Sequence, residues 1–439
     1  MAAARGDEPG RTMTAPEPVR RLSGIESELA RTHARTRGGA QVTTLVTVAA
    51  VFGSAYLAQV VARWSAGFSA LSMRIREEGD ALWFHRGGDA GPAWTGQEEM
   101  PAARTPADLL AEEVNDSLRP GGPLWRLRIV HDRGEAATHF YLACHPAICD
   151  GYTAGRLVRV LLDTLFGEEP EQRGPRPFTE QLLPDCDELS YRALPPVAVP
   201  PAPAVPPSCA GPDEGGNPFR ARPHGQVVWP LALSPRQSAL LKRWCGQHLI
   251  TVDQFFAAVL AVCFTRATGH DRVDVLTTVS LRQRYAESVR LSETGCCAHT
   301  LRTPLRITDG TLVEQARAYA ASVAAADAAW RPPRAEPGRR GVPTPAGEAA
   351  AFGGAHRLRL SRTGNADTVL GGHVRRVTEF GTVVSHGTYA SGSLHLSVFK
   401  GGLRLLLGLG GSADDRRVAE DVMRELADTV LRPPVGQLP

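Results

Sequence analysis

The stretch from Leu194 to Ser208, LPPVAVPPAPAVPPS, constrains the fold more than any other. Proline fixes its own φ and offers no N–H, so a run this dense suits neither a helix nor a central strand and reads as polyproline. It lies near the middle of a 439-residue chain and leaves a part on either side long enough to bury its own core. The chain carries 44 glycines and 34 prolines. Much of the proline gathers in two places: 169–225, read as a linker between halves, and 331–354, a Pro/Gly/Arg-rich loop. Residues 1–19 are polar and read as a disordered N-terminus. The expected organisation is therefore one subdomain over 20–168 and another over 226–439.

Each part mixes strand and helix patterns. In the first, Gln41 to Val51 is rich in valine and threonine and predicts a strand. A helix is expected from Ala55 to about Ser69, then short strands over 71–75 and 81–85. Thr105-Pro106 with Asp108 opens a helix of the capping type. Trp125, Leu127 and Ile129 alternate with arginines, and Asp132-Arg133-Gly134 turns the chain back into Thr138 to Cys144, a hairpin. A helix is read from Arg156 to Phe166. In the second part, Gln226 to Leu233 predicts a strand, and Ser234-Pro235 and the Thr251/Gln254 box open helices. Val273 to Leu281 predicts another strand, Thr311 with Glu314 caps a further helix, and strands are expected over 374–384, 393–398 and 402–409. A closing helix is read with Ser412 and Asp415 at its start and a stripe of Val418, Val422, Leu426 and Val430.

Several function classes are excluded or disfavoured. With 49 Lys+Arg against 46 Asp+Glu the net charge is +3, too small for a polyanion-binding surface, so no nucleic acid is expected. The eight cysteines form no CxxC and no paired zinc spacing and read as reduced thiols, with no metal. The N-terminus lacks the apolar run of a secretory leader. The most apolar stretch, Leu45 to Val61, is broken by Gly53, Ser54 and Gln59, so no membrane span is read there. A cytoplasmic protein follows as the expectation. There is no GxxxxGK[ST], no GxGxxG after a strand and no HExxH, so a substrate to be activated should arrive already activated.

The strongest local signal is His145-Pro146-Ala147-Ile148-Cys149-Asp150-Gly151-Tyr152-Thr153, between the hairpin and the following helix. With Pro123-Leu124-Trp125-Arg126, Val279-Ser280-Leu281-Arg282 and Ser361 to Gly364 in the same order, this segment resembles the HHxxxDG acyltransferase superfamily. That superfamily includes nonribosomal peptide condensation domains, polyketide-associated acyltransferases and chloramphenicol acetyltransferase. The resemblance runs from about Arg20 to Leu431, outside the two proline-rich loops. It implies an α/β fold of two chloramphenicol-acetyltransferase-like subdomains, mixed sheets with flanking helices, facing each other across a cleft. It also implies a free-standing, monomeric enzyme that moves an acyl group from a thioester, on an acyl or peptidyl carrier protein or on CoA, to an amine or hydroxyl acceptor. No bound cofactor is implied beyond that thioester donor, and the setting implied is specialised-metabolite biosynthesis of the antibiotic type.

Residue by residue, Asp150, Gly151 and Thr153 match the motif and Arg282 is the expected partner of Asp150. His145 matches the first histidine, while Pro146 stands where the second, the family's general base, would be. A base is worth roughly 100- to 10,000-fold in rate, so this departure leaves several readings open. His145 could itself act, if a one-residue bulge turned it into the cleft, or it could pack the loop. Cys149 or Cys144 could serve as a nucleophile beside it, or be small buried side chains. His139 lies an even number of residues away and is expected to share the face of His145. The alternatives to acyl transfer are a repurposed fold that promotes a reaction such as cyclisation, and a non-catalytic partner of a carrier protein or synthase.

Overall fold

Five helices begin on capping boxes, in which a Ser or Thr side chain takes the third helical N–H and the residue there reaches back. They are α1 (Gly24–Arg35, Ser23 with Glu26), α3 (Pro106–Asn115, Thr105 with Asp108) and α5 (Pro235–Gln247, Ser234 with Gln237). The others are α6 (Val252–Thr268, Thr251 with Gln254) and α7 (Leu312–Ala329, Thr311 with Glu314). Proline at the first helical position reinforces α3 and α5, where its missing N–H costs nothing. Gly269 ends α6 at φ 74, a left-handed cap that glycine adopts without strain. The computed structural model describes residues 18–87, 94–167, 225–282, 284, 294–330, 356–386, 391–410, 420, 421 and 424. The linker, the 331–354 loop, the residues before Pro18, Cys186, Cys209 and most of the closing helix lie outside the described residues.

The first lobe is built on a five-stranded sheet. Its strands are β2 (Val42–Val48), β5 (Trp94–Glu99), β6 (Trp125–Asp132), β7 (Ala137–Cys144) and β12 (Val377–Val384), in the order β12-β2-β7-β6-β5. Every residue of β2 and β7 is buried, as central strands covered on both faces require. On one face, α2 (Ser54–Ala66) and α4 (Gly151–Leu165) close a core around Trp64, Phe140, Leu142 and Leu161. On the other, α3 packs Leu109, Leu110 and Val114 against Leu45, Val130 and Tyr141. A small side sheet, β1 (Pro18–Arg21), β3 (Met73–Glu78) and β4 (Ala81–Arg86), is ordered β1-β4-β3.

The second lobe carries six strands: β8 (Val227–Ala232), β9 (Arg272–Ser280), β10 (Ala298–Arg306), β11 (His356–Asn365), β13 (Gly392–Phe399) and β14 (Gly402–Leu409). Their order is β10-β9-β11-β13-β14-β8, with β11 parallel to both of its neighbours. Helices α5, α6 and α7 cover one face, where Phe256, Leu260, Leu358, Leu394 and Leu405 form the core. Pro230 sits in β8, an edge strand, where a missing N–H breaks no ladder. A short helix, α8 (Ala366–Leu370), leads into a single 3-10 turn over 371–375.

Four expectations need correction. The strand read over 374–384 begins at Val377, after that turn, and it pairs with β2 of the first lobe. The boundary drawn at 226–439 therefore does not coincide with the sheets: one strand from the second part completes the first lobe. Helix α4 starts at Gly151, five residues before the predicted start, because Asp150 caps it. Strands β5, β10 and β11 and helix α1 were not read at all. No single described helix is long and apolar enough to cross a membrane; α5 and α6 pass such a test only as a pair bent by 94°.

Candidate active site

The motif loop joins the end of β7 to the start of α4, and its two ends are wired differently. Asp150 is the N-cap of α4 and accepts the Thr153 N–H at 2.8 Å, a bond that satisfies one of the helix's free donors. The same carboxylate reaches into the second lobe. It accepts both Nε and Nη2 of Arg282 at 3.1 Å, and the Cys297 N–H at 3.2 Å. Arg282 also donates to Thr153 Oγ1 at 3.1 Å. That hydroxyl donates to the Gly295 carbonyl at 2.7 Å and accepts the Gly295 N–H at 3.1 Å, so its hydrogen-bonding capacity is filled.

Asp150 and Arg282 are 5% and 2% exposed, and a buried pair persists only when its geometry is good and its remaining polar atoms are bonded. Burial works against the Arg282 cation, but the adjacent Asp150 overrides it and holds the guanidinium pKa above its ordinary value. The Arg282 guanidinium also lies 5.7 Å from the centroid of the Tyr152 ring. The partner expected for Asp150 is thus the one found.

At the other end, the His145 N–H donates to Leu124 O at 2.7 Å, and Ile148 N–H closes a turn onto His145 O at 3.1 Å. Pro146 occupies the second position of that turn, where a fixed φ favours the reversal. The ladders β6–β7 and β2–β7 run to Cys144 without a slip in register, so the bulge that would redirect His145 is not there. Its Nδ1 instead accepts the Ala147 N–H at 3.1 Å. With that lone pair engaged, the proton of the neutral ring resides on Nε2, and neither nitrogen is left as a base. The ring packs 4.4 Å from His33, and burial, then the nearby His33, hold its pKa well below the ordinary histidine value.

Cys149 is equally sequestered. Its Sγ faces the Asp150 carbonyl at 3.4 Å, and burial, with Cys144 adding, pushes the thiol well above its ordinary pKa. That favours the protonated thiol, the opposite of what a nucleophile needs. Cys144 is also buried, in the core of the first lobe. Gly151 faces Thr363 of β11: a Cβ there would make ordinary contact with Thr363, its Cγ2 nearest at 3.7 Å. Packing within the protein therefore does not demand glycine at 151, whereas Gly155, one turn on, lets Val369 approach to 2.7 Å of where a Cβ would stand. Among the described residues no group of His, Cys, Asp or Glu is arranged to hold a metal ion. Sequence reasoning missed Gly295 and Cys297, and it took in Thr363 only as part of the Ser361 to Gly364 segment, without a place at the loop. They stand opposite the loop because β10 and β11 fold beside it, and no local pattern marks them.

No known family description and no curated protein sequence matches the chain. Solved structures do match. The first condensation domain of the calcium-dependent antibiotic synthetase, in complex with substrate analogue 2a, superposes with a TM-score of 0.64 at 16% identity, over 94% of this chain and 97% of that one. Polyketide synthase associated protein 5 from Mycobacterium tuberculosis gives 0.58 at 16%, over 95% and 99%. The epimerization domain from the third module of tyrocidine synthetase B gives 0.55 at 13%, over 98% of each chain. The chain has the two-lobed fold of condensation domains and related chloramphenicol-acetyltransferase-like proteins.

Proposed function

We propose that this protein is an acyltransferase of the condensation type that works by holding its reactants rather than by histidine base catalysis. It would bring an acyl thioester, on a carrier protein or CoA, against an acceptor in specialised-metabolite biosynthesis. The observation that carries this reading is the division within the loop: the Asp150–Arg282–Thr153 junction between the lobes is intact, while His145 is locked as a structural residue. Holding two reactants in reacting geometry is worth up to about 7–11 kcal/mol, more than the roughly 3–5 kcal/mol that correspond to a 100- to 10,000-fold base effect. A free amine is already nucleophilic, so it is the acceptor that suits such a site, ahead of a hydroxyl. Backbone N–H groups at the start of α4 would supply donors for a developing oxyanion.

The test is release of free thiol from acyl-pantetheine donors with a panel of amines. Turnover is expected, with His145→Ala within about threefold of the wild type at matched folded fraction. Pro146→His is expected to raise the rate with weakly nucleophilic acceptors by up to about 100-fold. A 100-fold loss in folded His145→Ala would overturn the reading.

A second reading is supported by the same locked imidazole and protonated Cys149, namely a fold without acyl-transfer chemistry. It would dock a carrier protein, or promote another reaction such as cyclisation; an epimerization domain shares this fold, so the scaffold accommodates more than one chemistry. Binding of a loaded carrier protein with no thiol released under any acceptor would favour docking. Conversion of a single substrate without thiol release would favour the other.

A further inference from the structure

A cavity of about 610 Å³ lies between the two lobes, and among the described residues none of the motif segment 145–153 lines it. It is bounded by the α3-side face of the first sheet and by β8 and β14 of the second. The sheets approach closely at one side, where a Cβ on Gly381 would stand 2.7 Å from Leu406. The volume is that of an ordinary small-molecule site. Most of the wall is apolar, including Leu45, Leu110, Pro230 and Leu406.

One row of the wall is polar, and strand register explains it. Glu379 on β12 lies opposite Thr47 on β2, and Thr47 lies opposite His139 on β7. Thr47 Oγ1 is 2.9 Å from His139 Nδ1, and Glu379 lies beside Thr47 on the next strand. With the hydroxyl proton turned towards the carboxylate, the Thr47 oxygen accepts the Nδ1–H of His139. That leaves a lone pair on His139 Nε2. The atom has no partner among the described residues, in a ring only 4% exposed. A buried acceptor left open in this way calls for a ligand or water to complete it. Asp132 and His131 are the other titratable groups near His139, and Arg404 stands beside Glu379 at the half-buried end of the row.

The two groups at the buried part of the row, an imidazole lone pair and a carboxylate, both accept, with Arg404 a donor only at its outer end, so the polar head that complements the row must donate. We propose that this cavity binds a small primary amine on an apolar body, its ammonium shared by Glu379 and His139 Nε2 and its tail against the leucine-rich wall. The site would be separate from the motif loop, and the proposal does not depend on the acyl-transfer reading.

The experiment titrates the full chain with n-hexylamine, with n-hexanol and hexanoate in parallel. It is followed by calorimetry and by the imidazole nitrogen resonances of 15N-histidine-labelled protein. Hexylamine is expected to bind saturably with one site and to move the His139 Nε2 resonance, identified by its loss in His139→Gln. Glu379→Gln is expected to weaken it at least tenfold, and Leu406→Trp, which fills the cavity from β14 without replacing a member of the polar row, to abolish it. Tighter binding of hexanoate would make Arg404 the anchor and overturn the proposal. So would amine binding that is absent in the wild type or unchanged in both Glu379→Gln and Leu406→Trp.

Discussion

The two ends of the motif loop, five residues apart, belong to different parts of the molecule. Asp150 and Thr153 spend hydrogen bonds on Arg282, Gly295 and Cys297 of the second lobe, whereas His145 bonds within the first lobe, to its own loop and to Leu124 just before β6. The first end holds the lobes at a fixed separation. The second shapes a turn that Pro146 makes stiffer. The loop is therefore divisible: one end is tied across the lobes, and the other is spent on the first lobe alone.

The comparison is most exposed to breaking at Arg282. Replacing it by alanine leaves the Asp150 carboxylate buried without its cation, and a loss of about 3–5 kcal/mol is expected, read from denaturant unfolding. A loss under 1 kcal/mol would mean that the junction does not hold the lobes. Thr153→Val should cost about 1–3 kcal/mol, because the Gly295 N–H and carbonyl lose a buried partner together. In a double-mutant cycle with Arg282→Ala the two losses should fall short of additivity, since the residues share a bond.

The His145 end is sharpened by pH. Its folded pKa is depressed, so as pH falls below about 6.5 the unfolded chain takes up a proton that the folded ring refuses. Stability is then lost by about 1.4 kcal/mol per pH unit for each such histidine, until the folded pKa is reached. His299, lowered to about 4, and His395, lowered to about 3, both chiefly by burial, act in the same direction. The wild type should therefore weaken steadily from pH 6.5 towards 4, and His145→Ala should show a shallower fall. Equal slopes in the two proteins would show that His145 is protonated when folded. The smallest effect is expected at Gly151→Ala, where the added methyl meets only Thr363 and the unfolded chain loses freedom: a gain of about 0.4–1 kcal/mol, read from the melting temperature.

Much of the fold was legible because it is written in local chemistry. Capping pairs three residues apart, alternating valines and the hairpin turn mark the starts of α3, α5, α6, α7, β2, β6 and β7 within a residue or two of where they lie. Strands β10 and β11 escaped for a physical reason. Their sequences, AHTLRTPLR and HRLRLSRTGN, alternate leucine with arginine and contain Pro304, so they read as polar and broken. In the folded chain Arg357 and Arg359 are nevertheless buried, because the second sheet faces the other lobe rather than water. The candidate site was legible to the same degree. The Asp150–Arg282 pair was expected and is formed, while the fate of His145 hung on which ring nitrogen the Ala147 amide would occupy.

By itself the sequence determined the starts of α3, α5, α6 and α7, the proline-rich breaks and the absence of an imidazole at 146, since capping residues, proline density and residue identity are properties of single positions and short windows. Only the tertiary structure decided that β12 crosses to complete the first sheet, that His145 spends its Nδ1 on its own loop, and that Glu379, Thr47 and His139 form one row. Those outcomes depend on which strands become neighbours. Strand pairing joins residues hundreds of positions apart through backbone hydrogen bonds that every sequence can make, so it is selected by how whole sheets pack and not by any local pattern.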